Sequence, residues 1–166
     1  MENKQYKDNM NKTEQIIKRS VDFVIATCCL IFFSPLAIAC AIAIRLEDGL
    51  PVIYRQERIG LHGKPFFIYK FRSMKIDAEK DGPDLLEIKG DPRLTKVGRF
   101  LRMHHLDELP QLWNVFKGDM AFVGPRPERK FYIDQIMEHD PRYIYLYQIR
   151  PGVTSYATLY LSLIHI

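Results

Sequence analysis

From Phe23 to Ile44 the chain runs for 22 residues without a charged side chain, and Ser34-Pro35 falls at the middle of that run. A straight helix of this length rises roughly 33 Å, enough to cross the hydrocarbon core of a bilayer. Proline inside a helix removes one backbone donor and clashes with the preceding turn. The run is therefore expected to divide into two apolar arms of about ten residues, each roughly 15 Å long, the depth of about one leaflet. Lys12, Lys18 and Arg19 precede it, and Arg45, Arg55, Arg58 and Lys64 follow. Lysine and arginine mark cytoplasmic flanks, and here both flanks carry them. This symmetry favours a re-entrant, monotopic anchor that enters and leaves by one face. An ordinary span and a buried core helix are the alternatives.

The 166 residues suffice for one domain beside that anchor. Cys28, Cys29 and Cys40 all lie in the apolar run; they form neither a disulfide framework nor a metal spacing, which suits a reducing cytoplasm. They read as small apolar filler rather than as acylation sites. The run is too long for the core of a cleaved signal peptide, and no small-residue cleavage site follows it. A net charge of +4 suits an anionic membrane face or a phosphorylated substrate without requiring either. No basic stripe is interleaved with aromatics, so nucleic acid is not an expected partner.

Beyond the anchor, Val52–Arg58 and Pro65–Met74 are rich in aromatic and β-branched residues and flank Gly60-Leu61-His62-Gly63, which predicts a short hairpin. Asp77–Gly90 is acidic and without period, a loop. Asp91-Pro92 has the form of a helix start, with Asp91 as cap, and Leu94, Val97 and Leu101 recur at helical spacing opposite Arg93, Lys96, Arg99 and Arg102. A second helix is expected from about Asp107, with an apolar stripe of Leu109, Leu112, Trp113 and Phe116 and a stop at Gly118. Gly124-Pro125-Arg126-Pro127 predicts a stiff turn, residues 128–138 a third helix, Asp140-Pro141 the start of a short one, and Pro151-Gly152 another turn.

The strongest site signal is Asp107-Glu108, with Arg102 five residues before and Pro110 just after. Its plain reading is structural: Asp107 caps the helix and Glu108 complements the dipole. Its functional reading uses the same residues. Arg102 could fork onto phosphate oxygens, Glu108 could hold Mg²⁺, which binds one or two carboxylates together with substrate phosphates, and Asp107 could attack phosphorus as carboxylates do in aspartyl-phosphate enzymes. Arg126 is presented on a strut between two prolines, where the plain reading is a solvated surface arginine. Lys70 and Arg72 alternate with Tyr69 and Phe71 on the second strand, where the plain reading is a polar strand face. His104 and His105 point apart on a helix and lack further ligands at zinc spacing.

Taken together, these stretches resemble one family. Lys18-Arg19 with Asp22-Phe23, Ser34-Pro35, the segment Ile68–Met74, Leu106-Asp107-Glu108-Leu109-Pro110-Gln111-Leu112-Trp113-Asn114-Val115, Lys117-Gly118-Asp119-Met120, Val123-Gly124-Pro125-Arg126-Pro127 and Arg150-Pro151-Gly152-Val153-Thr154 are similar, in order, to the small monotopic phosphoglycosyl transferases. These bacterial sugar transferases start polysaccharide and glycoprotein glycan assembly. No single motif decides the resemblance, but the set is specific and covers nearly the whole chain.

The resemblance implies an α+β, mostly helical monotopic membrane protein, with a proline-broken re-entrant N-terminal helix and a small helical catalytic domain carrying a short hairpin. It implies that Asp107 is the nucleophile and Glu108 the Mg²⁺ partner, that Arg102 contacts the substrate phosphate with Arg126, Lys70 and Arg72 as further phosphate-binding residues, and that Lys18, Arg19, Ser34 and Pro35 set the anchor. It further implies a UDP-sugar donor, a polyprenol phosphate acceptor such as undecaprenyl phosphate, downstream glycosyltransferases, and the cytoplasmic face of a bacterial inner membrane.

The expected organisation is a polar tail over 1–17, the anchor over 18–50, the catalytic domain over 51–160, and a tail over 161–166 unlike the family. His105 stands where many members carry a small hydroxyl residue. The family continues with a further amphipathic region, so the chain reads as shortened at its C-terminus, and the short stretch before the anchor matches the small form. A non-catalytic scaffold of the same fold is the rival reading, although a scaffold would be free to lose Asp107 or Glu108. A metal-dependent phosphoesterase would call for a richer cluster of carboxylates or histidines.

Overall fold

The computed structural model describes residues 10–76, 78 and 91–155. The expected acidic loop over 77–90, save residue 78, lies outside the described residues, as do the first nine residues and everything from 156 onward.

Helix α1, Lys12–Asp48, is 37 residues long and begins with a capping box: Asn11 accepts from Glu14 N while Glu14 accepts from Asn11 N. It runs through Ser34-Pro35 without ending, so the expected break does not divide it into two helices. Ser34 Oγ instead donates back to Ile31 O at 2.8 Å, the local hydrogen bonding that serine makes inside a helix. The helix is long and apolar enough to cross a membrane, and only 11% of its most apolar window is buried. That exposure overturns the buried-core alternative: Ile31 and Phe32 are 71% and 77% exposed. Of its residues only Asp22, Ala26, Cys40 and Ile44 are buried.

Strands β1, Ile53–Ile59, and β2, Pro65–Phe71, pair antiparallel with Ile53 opposite Phe71 and Ile59 opposite Pro65, the hairpin that their residues predict. Helix α2, Lys96–Met103, starts later than expected. Thr95 is its cap, accepting from Gly98 N at 2.8 Å, while the Asp91 carboxylate closes a tight turn onto Arg93 N at 2.9 Å. A 3₁₀ turn, Leu106–Glu108, then leads into α3, Gln111–Lys117, which Gly118 ends in the left-handed region. Next come β3, Ala121–Val123, α4, Lys130–His139, a 3₁₀ stretch over Pro141–Gln148 capped by Asp140, and β4, Gly152–Thr154. Strands β3 and β4 pair in parallel, Ala121 with Gly152 and Val123 with Thr154. Strands of three residues carry no readable alternation, and neither was expected; Gly152 alone falls in a predicted turn.

Two apolar clusters hold the parts together. Ala26 of α1, Ile68 of β2, Val115 of α3 and Met120 form one; Cys40 and Ile44 of α1, Phe71 of β2 and Leu101 of α2 form the other. Both ends of the apolar run thus enter clusters that draw on β2.

Candidate active site

The junction of β2, α2 and the 3₁₀ turn gathers the charged residues. Leaving α2, the chain reverses at His105, which adopts left-handed backbone at φ 55, a conformation in which histidine is over-represented among residues with a side chain. The turn that follows places Asp107 inside the protein, 7% exposed, and Glu108 at its edge. Asp107 therefore sits within a 3₁₀ turn rather than capping α3, whose first turn follows Pro110.

From β2, Lys70 Nζ reaches Glu108 Oε1 at 2.8 Å. From α2, Arg102 Nε donates to Ser73 Oγ at 2.9 Å. Ser73 O in turn accepts from Thr95 N at 3.1 Å, and Gly98 lets α2 lie against it, since a Cβ on Gly98 would fall 1.9 Å from Ser73 O. Asn114, fully buried on α3, clamps β2 on both sides of Ile68, donating to Phe67 O at 2.7 Å and accepting from Tyr69 N at 3.1 Å. The lysine-bearing strand and the carboxylate-bearing turn are thereby held in register.

The two carboxylates are pushed apart. Burial lifts Asp107 above the usual aspartate range, the charges of Lys70 and Arg102 opposing it and that of Glu108 adding to it. Burial acts upward on Glu108 too, but Lys70, Arg126 and a hydrogen bond from Gln111 outweigh it and hold Glu108 below the usual glutamate range. A neighbouring pair with separated proton affinities is the usual signature of two carboxylates given different tasks.

Lys70, Arg102, Asp107 and Glu108 come together as expected, and Arg126, its side chain 67% exposed, acts on Glu108 through its charge while pairing with Glu128 at 3.7 Å. Arg72 does not join them. Buried, it donates to Asp48 O at 2.7 Å and Gly49 O at 3.0 Å and pairs with the Asp48 carboxylate at 3.1 Å, holding the C-terminus of α1. Lys18 and Arg19 also have protein partners, Asp22 for the first and the end of α3 for the second. Ser34 and Pro35 lie in the exposed middle of α1. Ser73, Gln111 and Asn114 were not singled out as site residues from the sequence; the signal was a Gln and an Asn three apart in a helix whose other residues are apolar up to Lys117.

Residues 13–163 match the bacterial sugar transferase family. The chain belongs to that family. The match reaches three residues into the 161–166 stretch that the sequence reading set apart. This sugar transferase chain is 43% identical over 141 residues to the UDP-N-acetylgalactosamine-undecaprenyl-phosphate N-acetylgalactosaminephosphotransferase of Aeromonas hydrophila, covering 85% of this chain and 33% of that protein. It is 40% identical over 154 residues to the UDP-glucose:undecaprenyl-phosphate glucose-1-phosphate transferase of Escherichia coli, covering 93% of this chain and 33% of that one. It is 46% identical over 141 residues to the transferase of the same description from Caulobacter vibrioides, covering 84% and 52%. The chain thus spans between a third and about half the length of these curated relatives.

Proposed function

We propose that this protein transfers a phospho-sugar from a UDP-sugar to polyprenol phosphate at the cytoplasmic face of a bacterial inner membrane, giving a polyprenyl-diphosphate sugar and UMP, through a covalent intermediate on Asp107. One observation carries the reading: a buried carboxylate with raised proton affinity, flanked by Lys70, Arg102 and the oppositely shifted Glu108. The relatives' undecaprenyl-phosphate acceptors and their UDP-linked glucose or N-acetylgalactosamine donors support it.

The Asp107 carboxylate attacks the phosphorus that bears the sugar, the bond from that phosphorus to the bridging oxygen breaks, and UMP leaves with the electron pair. An oxygen of the lipid phosphate then attacks the same phosphorus, the Asp107–phosphorus bond breaks, and the carboxylate is restored. Splitting one transfer in two predicts ping-pong kinetics. Arg102 and Lys70 offset charge on the diphosphate, and Arg126 does so from the exposed side. Among the described residues no third His, Cys, Asp or Glu joins the dyad, which fits Mg²⁺ held jointly by one or two carboxylates and substrate phosphates rather than by a protein cage. Glu108, kept ionised by Lys70, would hold it, and the bound ion would offset diphosphate charge.

Ala26 and Cys40, in the two clusters, would stand roughly 21 Å apart on a straight helix. The clusters' β2 members, Ile68 and Phe71, are three residues apart, roughly 10 Å. That disparity favours a bend at Pro35, with the exposed residues between the clusters dipping into one leaflet.

The test is UMP release by the intact protein in vesicles across a panel of UDP-sugars, with products separated by thin-layer chromatography. Lipid-linked sugar phosphate is the expected product. Free sugar phosphate would favour a phosphoesterase, and no UMP from any donor would favour the scaffold.

A further inference from the structure

Helix α3 is held at both ends, and the far end is held by the anchor. Arg19, in the early turns of α1, donates Nη1 to Val115 O and Nη2 to Phe116 O, each at 2.6 Å. These belong to the last turn of α3, where carbonyls have no partner within the helix, and a planar guanidinium serves two neighbouring carbonyls from two nitrogens in a rigid fork, a preset geometry that a single ammonium lacks. Gly118, with φ +94, makes room: a Cβ there would lie 3.1 Å from the Arg19 guanidinium.

One turn along α1 from Arg19, Phe23 stacks on Phe116 at 4.9 Å, and Phe116 stacks on Trp113 at 5.1 Å. Ala26 and Val115 are completely buried in the same cluster beneath. At the near end of α3, Gln111 bonds Glu108, and Asn114 clamps β2 in between. A helix of seven residues, roughly 10 Å long, thus runs as a strut from anchor to dyad.

We infer that Arg19 is a positioning residue: by fastening α3 to the anchor it fixes the depth of the Asp107-Glu108 pair relative to the bilayer. This rests on the transferase reading above and adds a role to a residue expected only to set the anchor. The two half-reactions should feel that depth unequally. The donor arrives from water and can meet the dyad at any height. The acceptor phosphate is held by its own lipid chain at the headgroup plane, so a misplaced dyad misses it.

The test uses the intact protein in vesicles with Arg19→Lys and Arg19→Gln. Arg19→Lys keeps the charge that headgroups would attract and loses the fork. Both variants should keep the donor KM and the initial burst of UMP, and lose about 10²-fold in transfer to polyprenol phosphate, the effect of a misplacement of about 1 Å. A short-chain prenyl phosphate in detergent, free of the bilayer, should restore turnover. Trp113, the sole tryptophan of the chain, reports depth independently of activity, and its quenching by lipids spin-labelled at graded depths should shift in both variants.

Normal acceptor transfer and unchanged Trp113 quenching in Arg19→Lys would show that charge alone suffices and overturn the inference. So would equal losses in both half-reactions at unchanged depth, or unfolding of both variants by circular dichroism, since each marks general stabilisation. If only Arg19→Gln unfolds, Arg19→Lys decides. A wild-type protein that releases no UMP would fell the transferase reading and this inference with it, whereas indifferent Arg19 variants would leave the transferase reading standing.

Discussion

Asp107 is more basic than an ordinary aspartate because burial disfavours its charge, a property that would sharpen the proposed nucleophile and that is also a liability to the fold. A carboxyl whose proton affinity rises on folding stabilises the fold at low pH and loses that contribution as pH climbs through its folded pKa. Above that folded pKa the ionised side chain therefore works against the fold. Asp107→Asn should abolish transfer while leaving the thermal unfolding midpoint unchanged or higher; a marked drop in the midpoint would mean that the carboxylate is structural. If the pair acts as proposed, the same shift predicts an acid limb in the pH profile of kcat/KM for the donor, above the usual aspartate range and belonging to the coupled pair rather than to one residue. Lys70 lowers both carboxylates, so Lys70→Met should move that limb to higher pH. An unmoved limb would remove Lys70 from the site.

At the scale of elements, the site depends on how closely α2 approaches Ser73. A methyl on Gly98 gains helix propensity of about 1 kcal/mol, but it meets a backbone oxygen that cannot rotate away, and overpacking of this kind costs about 1–3 kcal/mol. Gly98→Ala should lower the unfolding midpoint and weaken donor use together, because the Arg102–Ser73 bond moves with the helix; a stabilised and fully active variant would contradict the packing described.

The hairpin was legible because aromatic and β-branched residues flank a glycine-rich turn, which is local information. The faces of α3 were not. Leu109, Leu112, Trp113 and Phe116 read as its apolar stripe, and Leu109 and Phe116 do pack against the two clusters, but the buried residues of α3 are Gln111, Asn114 and Val115 while Trp113 is 47% exposed. Asn114 is drawn inward by unpaired groups of β2, 45 residues away in the chain, and no helical period encodes that. Arg72 misled for the same reason: its partner is the end of α1, which spacing cannot reveal. The residue types at the dyad were legible, whereas the depth of Asp107 and its 3₁₀ setting depended on the reversal at His105.

Across the whole molecule, an exposed apolar helix and a polar site share one frame, because Arg19 and the two clusters tie α1 to β2, α2 and α3. If Pro35 bends α1 into a re-entrant anchor as proposed, Pro35→Ala should yield a straight span with its flanks on opposite sides of the bilayer; cysteine accessibility that still finds both flanks on one side would show that Pro35 does not set the topology. Whether Asp107 carries the phospho-sugar can be read directly from the protein. Intact protein in vesicles is mixed with a UDP-sugar labelled on the phosphate next to the sugar, without acceptor, quenched rapidly and digested. The account predicts label on the peptide containing Asp107 in the wild type, its discharge when polyprenol phosphate is added, and none in Asp107→Asn. Product formed by a wild type that never carries label, or label retained by Asp107→Asn, would contradict it.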